Sequence, residues 1–254
     1  MNKTVILSSN DNLDYLKYYP YVAWAWNQLG WDTLLFYHGK HTALLEEFKA
    51  CNGKFDTERN KIQVVGNIEG YRPETIVQVS RLFGGMCFPS NEERVLMIGD
   101  ADMIPLSDYW HPESDKITTY GWDLTDFGHF PMCYIAAPVK IWRQLMEIDS
   151  VYVSIEHEIK KLLDKTPKAK SEIFEEWWQV DQDIITEIIK NHPEGRKDIM
   201  RGVYAGLASY RADRYDWERT KDYGTIDAHM PRPFSLDETK YILQKSFNKL
   251  PDWV

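Results

Sequence analysis

Two aspartates that end an apolar run are the first residues of this sequence whose spacing suggests chemistry. Asp100 and Asp102 flank one alanine directly after the apolar run at residues 95–98 and a glycine. Hard divalent cations such as Mg²⁺ and Mn²⁺ prefer oxygen ligands, and a bound cation can bridge carboxylates and a diphosphate. Aspartates also occur in ordinary turns after strands. Because this pair follows the fourth apolar strand of an alternating series, we predict a metal site at Asp100 and Asp102.

A second acidic group, Asp181-Gln182-Asp183, begins another helical pattern. One interpretation makes Asp181 the N-cap of that helix and places Asp183 in its first turn, where the helix dipole stabilises a carboxylate. A second interpretation is catalytic, because a helix N-terminus in a cleft can hold a carboxylate or an amide towards a substrate. The two interpretations are compatible, and both stay open at the level of sequence.

One histidine and two arginines can complete such a site. His229 lies close to two prolines and away from any periodic pattern, and a histidine held in a rigid loop can bind a metal. Arg232 follows three residues later and can pair with a phosphate. Arg81 precedes the metal strand and can face a diphosphate or orient Asp100. The structural alternatives are a loop histidine without a role and solvated arginine charges.

The elements that would position these residues alternate between strand and helix over the first hundred residues. Strands are predicted at 5–7, 33–37, 62–65 and 95–98, and helices at 13–29, 42–50 and 73–82. Gly30 and the pair Gly84-Gly85 are expected to end the first and third helices. This alternation predicts a doubly wound α/β sheet, in which ligands bind beyond the carboxyl ends of the strands.

The second half of the sequence is less regular. It predicts a strand at 132–137 and helices at 138–148, 151–163, 181–191 and 235–250. Ser235 is expected to cap the last helix, with Glu238 three residues later. Because no repeat and no linker is evident, we expect a single domain over 1–254 with two lobes.

The composition excludes several classes of protein. With 254 residues, 43% hydrophobic and 27% charged, the chain is typical of globular proteins, and its net charge of -9 argues against a nucleic-acid surface. No apolar stretch approaches the length of a membrane span. Three widely spaced cysteines predict neither a disulfide framework nor a zinc ribbon. With no signal-peptide pattern, we expect a reducing, cytoplasmic compartment.

In their order along the chain, these motifs resemble those of the retaining GT-A glycosyltransferases that include glycogenin and the bacterial lipopolysaccharide galactosyltransferases. Small viral or bacterial glycan transferases have a similar reduced layout. The matching features are a polar end to the first strand, an arginine helix before an Asp-x-Asp strand, an Asp-Gln-Asp segment and a late histidine followed by a basic residue and proline. In this sequence they are residues 8–12, Arg81, Asp100-Ala101-Asp102, 181–183, His229, Arg232 and Pro233.

The resemblance implies a GT-A fold, which is an α/β fold with a mixed, mainly parallel central sheet flanked by helices. It implies metal-dependent transfer of a hexosyl or pentosyl group from a nucleotide diphosphate sugar, a UDP-sugar, to a glycan or other hydroxyl acceptor with retention. The nucleotide-sugar-binding half would be 1–110, and the acceptor-binding half 111–254.

The same resemblance assigns roles to residues. Asp100, Asp102 and His229 would bind Mn²⁺ (or Mg²⁺). Contacts to the nucleoside would come from Ser9, Asn10 and Asn12, and contacts to the diphosphate from Arg81 and Arg232. The catalytic candidates are Asp181, Gln182 and Asp183. If the enzyme inverted instead, Asp181 or Asp183 would act as general base. The candidate acceptor contacts, which can equally be packing residues, are Trp122, Asp123, Asp126, His129, Trp177 and Trp178.

An apolar strand followed by Asp-x-Asp is also compatible with other functions. A haloacid-dehalogenase-type phosphatase carries the motif near its N-terminus, with Thr or Val where Ile104 stands here. A nucleotidyltransferase or a P-loop NTPase needs a glycine-rich phosphate loop, and residues 8–14 contain no glycine. The non-enzymatic alternative is a catalytically dead module that binds a nucleotide sugar.

Overall fold

The protein is described here by a computed structural model, which covers residues 2–120, 130–150, 152–191, 196–198 and 210–254. These residues form ten strands and ten α-helices. The strands are β1 (Lys3–Asn10), β2 (Asp32–His38), β3 (Asn60–Val64), β4 (Val95–Ile98), β5 (Met103–Pro105), β6 (Ile117–Thr119), β7 (Ile135–Pro138), β8 (Arg196–Asp198), β9 (Arg211–Asp213) and β10 (Asp227–His229).

The helices are α1 (Leu13–Leu16), α2 (Tyr19–Gln28), α3 (His41–Ala50), α4 (Pro73–Ser80), α5 (Val139–Leu145), α6 (Ile155–Asp164), α7 (Phe174–Trp178), α8 (Val180–Asn191), α9 (Trp217–Thr220) and α10 (Leu236–Phe247). Three 3₁₀ segments accompany them at Arg81–Cys87, Pro167–Lys170 and Arg214–Asp216. None of the helices in the described part of the chain is long and apolar enough to cross a membrane.

Seven of the described strands form a mixed central sheet in the order β3-β2-β1-β4-β7-β6-β8. The strands β3, β2, β1 and β4 are mutually parallel, and β8 is parallel to β6. The strand β7 runs antiparallel to both of its neighbours. The α/β fold class with a mixed, mainly parallel central sheet, predicted from the sequence, is confirmed.

The sheet has an apolar cluster on each face, because successive side chains of a strand point to opposite sides. Val5 and Leu7 of β1 pack on one face, together with α2, α3 and α10. Ile6 packs on the other face, together with α4, α5, α6 and α8. Burial on both sides explains why β1 and β4 have continuous apolar sequences.

Two predicted helices differ from the observed ones. The helix expected at 13–29 is divided into α1 and α2, because Pro20 lies at the start of α2 and lacks the N–H group that would continue the helical ladder. The helix that begins at Pro73 becomes a 3₁₀ segment after Ser80, and that segment includes Gly84 and Gly85. Arg81 therefore lies at the point where the helix tightens.

The ends of two other helices were also predicted imperfectly. The helix α6 begins at Ile155, because the side chain of Ser154 caps it by accepting from the backbone N–H of His157. The prediction that Asp181 is an N-cap is wrong, because α8 begins one residue earlier, at Val180. The Ser235 cap of α10 is confirmed, with its side chain accepting from the N–H of Glu238.

A small second sheet, in the order β5-β10-β9, was not predicted. The strand β10 pairs antiparallel with β5 and parallel with β9. In this register His229 lies opposite Met103, the residue that follows Asp102. The small sheet therefore brings the late histidine loop to the acidic turn after β4.

Candidate active site

The candidate site lies at the edge of the central sheet where β1 and β4 end. These two strands are adjacent and parallel, with Ile6 paired to Ile98. β4 therefore ends level with Ile6, while β1 continues for four more residues to Asn10, and both strands point to the edge where a ligand site is expected in such a sheet. The polar residues 9–12 and the turn Asp100-Ala101-Asp102 extend beyond this edge, and the turn is closed by a 3.2 Å bond from Met103 N–H to the carbonyl of Asp100.

A buried guanidinium connects the acidic turn to α8. Arg81 Nη1 donates to Asp100 Oδ1 at 2.5 Å and to the carbonyl of Gly99 at 3.0 Å, and its Nη2 donates to Asp181 Oδ2 at 2.7 Å. Burial lowers the pKa of Arg81, but the charges of Asp100 and Asp181 outweigh it and raise the pKa above its usual value. Burial raises the pKa of Asp181, against the opposing charge and hydrogen bond of Arg81.

Three basic side chains surround Asp102, which is 1% exposed. Its Oδ2 atom accepts from Arg214 Nη1 and from Arg232 Nη2, each at 2.8 Å, and lies 3.6 Å from His229 Nε2. Burial raises the pKa of Asp102, but the hydrogen bond and charge of His229 and the charges of both arginines lower it to about 2. Asp102 is therefore a carboxylate held ionised by its neighbours.

The position of His229 is fixed by the small sheet. Asp227, on the same strand, is fully buried and forms a two-pronged ion pair with Arg211 of β9, with both N–O distances at 2.7 Å. The backbone N–H of Met230 donates to the carbonyl of Asp102 at 2.9 Å. These bonds hold the imidazole of His229 beside the Asp102 carboxylate.

Arg232 is oriented by two tyrosines that follow β1. Its guanidinium lies 3.9 Å from the centre of the Tyr15 ring, a cation–π contact. The hydroxyl of Tyr18 donates to the carbonyl of Pro231 at 2.5 Å and accepts from the N–H of Ser235 at 3.1 Å. The loop that carries Arg232 is thus bonded on both sides of the arginine.

The residues assigned to the nucleoside lie at the end of β1 and in the turn between β1 and α1. Ser9 is buried and donates to the carbonyl of Asn10 at 3.0 Å. The Asn10 side chain donates to Glu74 at 3.3 Å and accepts from the N–H of Asn12 at 3.0 Å. Asn12 caps α1 by accepting from the N–H of Asp14 at 3.0 Å. These bonds shape the turn beside the carboxyl end of β4.

The three catalytic candidates on α8 do not face the same way. Asp181 and Asp183 are two residues apart, which turns their side chains to different sides of a helix. Asp181 contacts Arg81, whereas the Asp183 carboxylate lies 2.6 Å from Lys168 Nζ. Gln182, between them, is partly buried. The described contacts place only Asp181 with the acidic turn.

The donor atoms around Asp102 fit a hard divalent cation in their chemistry. Carboxylate oxygens from Asp100 and Asp102 and an imidazole nitrogen from His229 form a common ligand set, and one cation can span the 3.6 Å between Asp102 and His229. Within the described residues, however, no three His, Cys, Asp or Glu side chains form a ready-made metal group. The guanidinium groups of Arg81, Arg214 and Arg232 take the carboxylate oxygens instead.

Two residues of this site were missed by the sequence reasoning. Arg214 follows the short strand β9 in a segment where acidic and basic residues alternate, which is indistinguishable from a solvated loop. Tyr15 lies beyond the nucleoside turn and packs under Arg232. The long-range pairing of β5, β9 and β10 brings Arg214 to Asp102.

Four of the six proposed acceptor contacts lie outside the described residues: Trp122, Asp123, Asp126 and His129. Trp177 and Trp178 are described and form an aromatic cluster with Phe174, whose ring stacks on that of Trp178 at 5.4 Å. This cluster lies on α7, directly before the helix that carries Asp181.

Solved structures with a similar fold are glycosyltransferases. The galactosyltransferase LgtC, in complex with donor and acceptor sugar analogues, has a TM-score of 0.54 and 12% sequence identity over 98% of both chains. An active-site mutant of LgtC has a TM-score of 0.52, also at 12% identity and 98% of both chains. The apo form of the glycosyltransferase GlyE from Streptococcus pneumoniae TIGR4 has a TM-score of 0.50 at 11% identity, over 98% of this chain and 64% of that one.

No protein-family model matches the sequence, and no curated protein does. At these identities the structural likeness concerns the fold. The chain has the GT-A fold of these glycosyltransferases, as the resemblance of its motifs implied.

Proposed function

We propose that the protein is a glycosyltransferase that moves a hexosyl or pentosyl group from a UDP-sugar to the hydroxyl of a glycan or other acceptor, with retention. The observation that carries this proposal is the meeting of Asp100, Asp102, His229 and Arg232 at the sheet edge of a GT-A fold. Residues 1–110 would form the nucleotide-sugar-binding half and residues 111–254 the acceptor-binding half.

In this proposal Asp100, Asp102 and His229 hold Mn²⁺ (or Mg²⁺). When bound, such a cation neutralises the negative charge that develops on the leaving diphosphate. Arg232 is 29% exposed in its side chain and is oriented by Tyr15, so its guanidinium can pair with a phosphate oxygen.

For Arg81 the proposal takes the second of the two roles that the sequence left open, which is to orient Asp100. Its two terminal nitrogens already donate to Asp100, Gly99 and Asp181, and its side chain is 6% exposed. These contacts favour Arg81 as the residue that positions Asp100, rather than as a direct ligand of the diphosphate.

Retention is favoured by the contacts of the two aspartates on α8, Asp181 and Asp183. Inversion needs a general base that can reach the acceptor hydroxyl. Asp181 is buried against Arg81, and Asp183 is paired with Lys168. In the retaining route no enzyme base is required, because the acceptor oxygen attacks the face that the diphosphate leaves, and a phosphate oxygen takes the hydroxyl proton.

The first test is thermal unfolding with a panel of nucleoside diphosphates, each with and without Mn²⁺. A ligand that binds only the folded protein raises the melting temperature. We expect a shift with UDP that requires Mn²⁺ and that is lost in Asp102→Asn. No shift with any nucleoside diphosphate would contradict the proposal.

The second test measures release of UDP from UDP-sugars in the presence of saccharide acceptors. A catalytically dead binding module would show the thermal shift but no release of UDP with any donor. A haloacid-dehalogenase-type phosphatase is not favoured, because the Asp-x-Asp follows the fourth strand rather than the first.

A further inference from the structure

Two guanidinium groups surround the single carboxylate of Asp102, so the positive charge beside it exceeds its own negative charge. A single oxygen, Oδ2, accepts from both Arg214 and Arg232 at 2.8 Å and lies 3.6 Å from His229. A divalent cation bound between Asp102 and His229 would have to lie close to this same oxygen. Two guanidinium groups and a divalent cation would repel one another there, so at least one arginine must move before a cation binds.

Arg232 is the better anchored of the two arginines. It stacks on the Tyr15 ring at 3.9 Å, and the loop around it is held by both bonds of the Tyr18 hydroxyl. These contacts do not involve Asp102. A cation at Asp102 can therefore leave Arg232 in its present place, beside the site and facing the phosphates.

Arg214 has weaker support away from Asp102. It begins a 3₁₀ segment of only three residues, Arg214–Asp216. Its other polar contacts among the described residues are with Tyr215, at 3.4 Å from the hydroxyl and 5.1 Å from the ring centre, and Tyr215 is itself 84% exposed. The Arg214 side chain is 14% exposed, and a move away from Asp102 would break this ion pair but no other buried polar contact described for it.

We propose that Arg214 occupies the place of the cation at Asp102 until a divalent metal enters, and that the displaced guanidinium then pairs with the diphosphate of the donor. This inference rests on the proposed function. Arg214 is a positioning residue in the empty site and a phosphate ligand in the loaded one. The planar guanidinium suits both partners, because it forms paired hydrogen bonds with carboxylates and with phosphates.

The exchange couples two binding events. Metal alone must compete with Arg214, so it binds weakly. Metal together with a diphosphate gives the displaced arginine a new partner, so each ligand strengthens the binding of the other by the same factor. The structure thereby provides a reason for the cation and the nucleotide to be bound as a pair.

The test compares Mn²⁺ binding in the wild-type protein and in Arg214→Met, using the electron paramagnetic resonance signal of free Mn²⁺. Without nucleotide, we expect Arg214→Met to bind Mn²⁺ about tenfold more tightly, because the competing charge is gone. With UDP added, we expect the wild type to gain much more Mn²⁺ affinity than the variant. Arg214→Lys keeps the positive charge but loses the planar, forked set of N–H donors. We therefore expect UDP to raise the Mn²⁺ affinity of this variant less than that of the wild type.

Arg219→Met is the matched control. Arg219 lies in the same segment of the chain, is largely exposed and pairs with Asp216 rather than with Asp102. Its removal is expected to leave both Mn²⁺ titrations at wild-type values. If methionine at position 214 unfolds the protein, Arg214→Lys alone decides the question.

The results separate this inference from the proposed function. Mn²⁺ affinities of the two Arg214 variants that equal those of the wild type, both with and without UDP, would overturn the role of Arg214 alone. A wild-type protein that binds no Mn²⁺ even with UDP would overturn the proposed function, and with it this inference.

Discussion

The Nη2 atom of Arg81 donates a 2.7 Å hydrogen bond to Asp181, and the two side chains are 6% and 1% exposed. Because the same guanidinium also binds Asp100, the start of α8 is tied to the acidic turn after β4. A buried ion pair adds little compared with a well-packed apolar pair, but removal of one partner leaves an uncompensated charge. The Arg81–Asp181 ion pair therefore contributes both to the geometry of the site and to the stability of the fold.

Asp181→Asn should therefore lower the free energy of unfolding by about 3 kcal/mol or more, because Arg81 loses a buried partner. Asp183→Asn is the matched control on the same helix. Its ion pair with Lys168 is partly exposed, so its loss should cost less than about 1 kcal/mol. Urea unfolding measures both changes.

The same two variants test the catalytic assignment of α8. We expect Asp181→Asn to lower turnover and Asp183→Asn to retain it, because Asp181 is bonded to the guanidinium of Arg81 that also binds Asp100, whereas the described ion pair of Asp183 is with Lys168. Loss of turnover in a stable Asp183→Asn protein would instead support Asp183 as a catalytic residue.

Asp102→Asn should abolish Mn²⁺-dependent binding of UDP and reduce turnover to background. An amide keeps the shape of the side chain but removes the charge that Arg214, Arg232 and His229 surround. Some loss of stability is expected as well, since two guanidinium groups lose their buried anion. Asp108→Asn, on an exposed aspartate, is the control, and Mn²⁺ binding by Asp102→Asn at wild-type affinity would remove Asp102 from the metal site.

Gly39→Ala should disturb the nucleoside turn. A Cβ atom at this position would overlap the carboxylate of Asp11 and lie 2.8 Å from the Tyr37 hydroxyl. Asp11 would have to give up its bonds to that hydroxyl and to the N–H of Lys40. We expect the melting temperature to fall and the affinity for UDP to weaken severalfold, measured by thermal unfolding and calorimetric titration.

Gly66→Ala is the matched control for that substitution. Its added Cβ would meet only the Glu156 side chain, at 3.5 Å or more, which is an ordinary contact. The melting temperature and the affinity for UDP should both stay near wild-type values. Equal effects of the two substitutions would show that the position of Asp11 does not matter for the site.

The sequence predicted those parts of the fold that have local signatures. The strands β1, β2 and β4 contain apolar runs that alternate with helical patterns, so their type and a mainly parallel sheet could be inferred. The acidic turn could be assigned to the sheet edge for the same reason. The division between α1 and α2 at Pro20 could also have been predicted, since proline is common at the start of a helix.

Parts of the site that depend on distant pairing could not be predicted. The small sheet joins residues near 104, 212 and 228, and each of its strands has only three residues. No periodicity can be recognised over so short a length. Arg214 reaches Asp102 through this pairing, so its position emerged from the structure, whereas His229 and Arg232 were already candidates in the sequence.

Acid should weaken the contribution of Asp102 to stability, in protein kept free of metal by a chelator. The folded pKa of Asp102 is about 2, below its usual value of 3.8, so its stabilising contribution is complete well above pH 3.8 and is lost as the pH falls. Urea unfolding between pH 6 and 3 should show the stability advantage of the wild type over Asp102→Asn shrinking towards acid. Parallel pH curves for the two proteins would mean that this carboxylate is not perturbed in the way that its neighbours require.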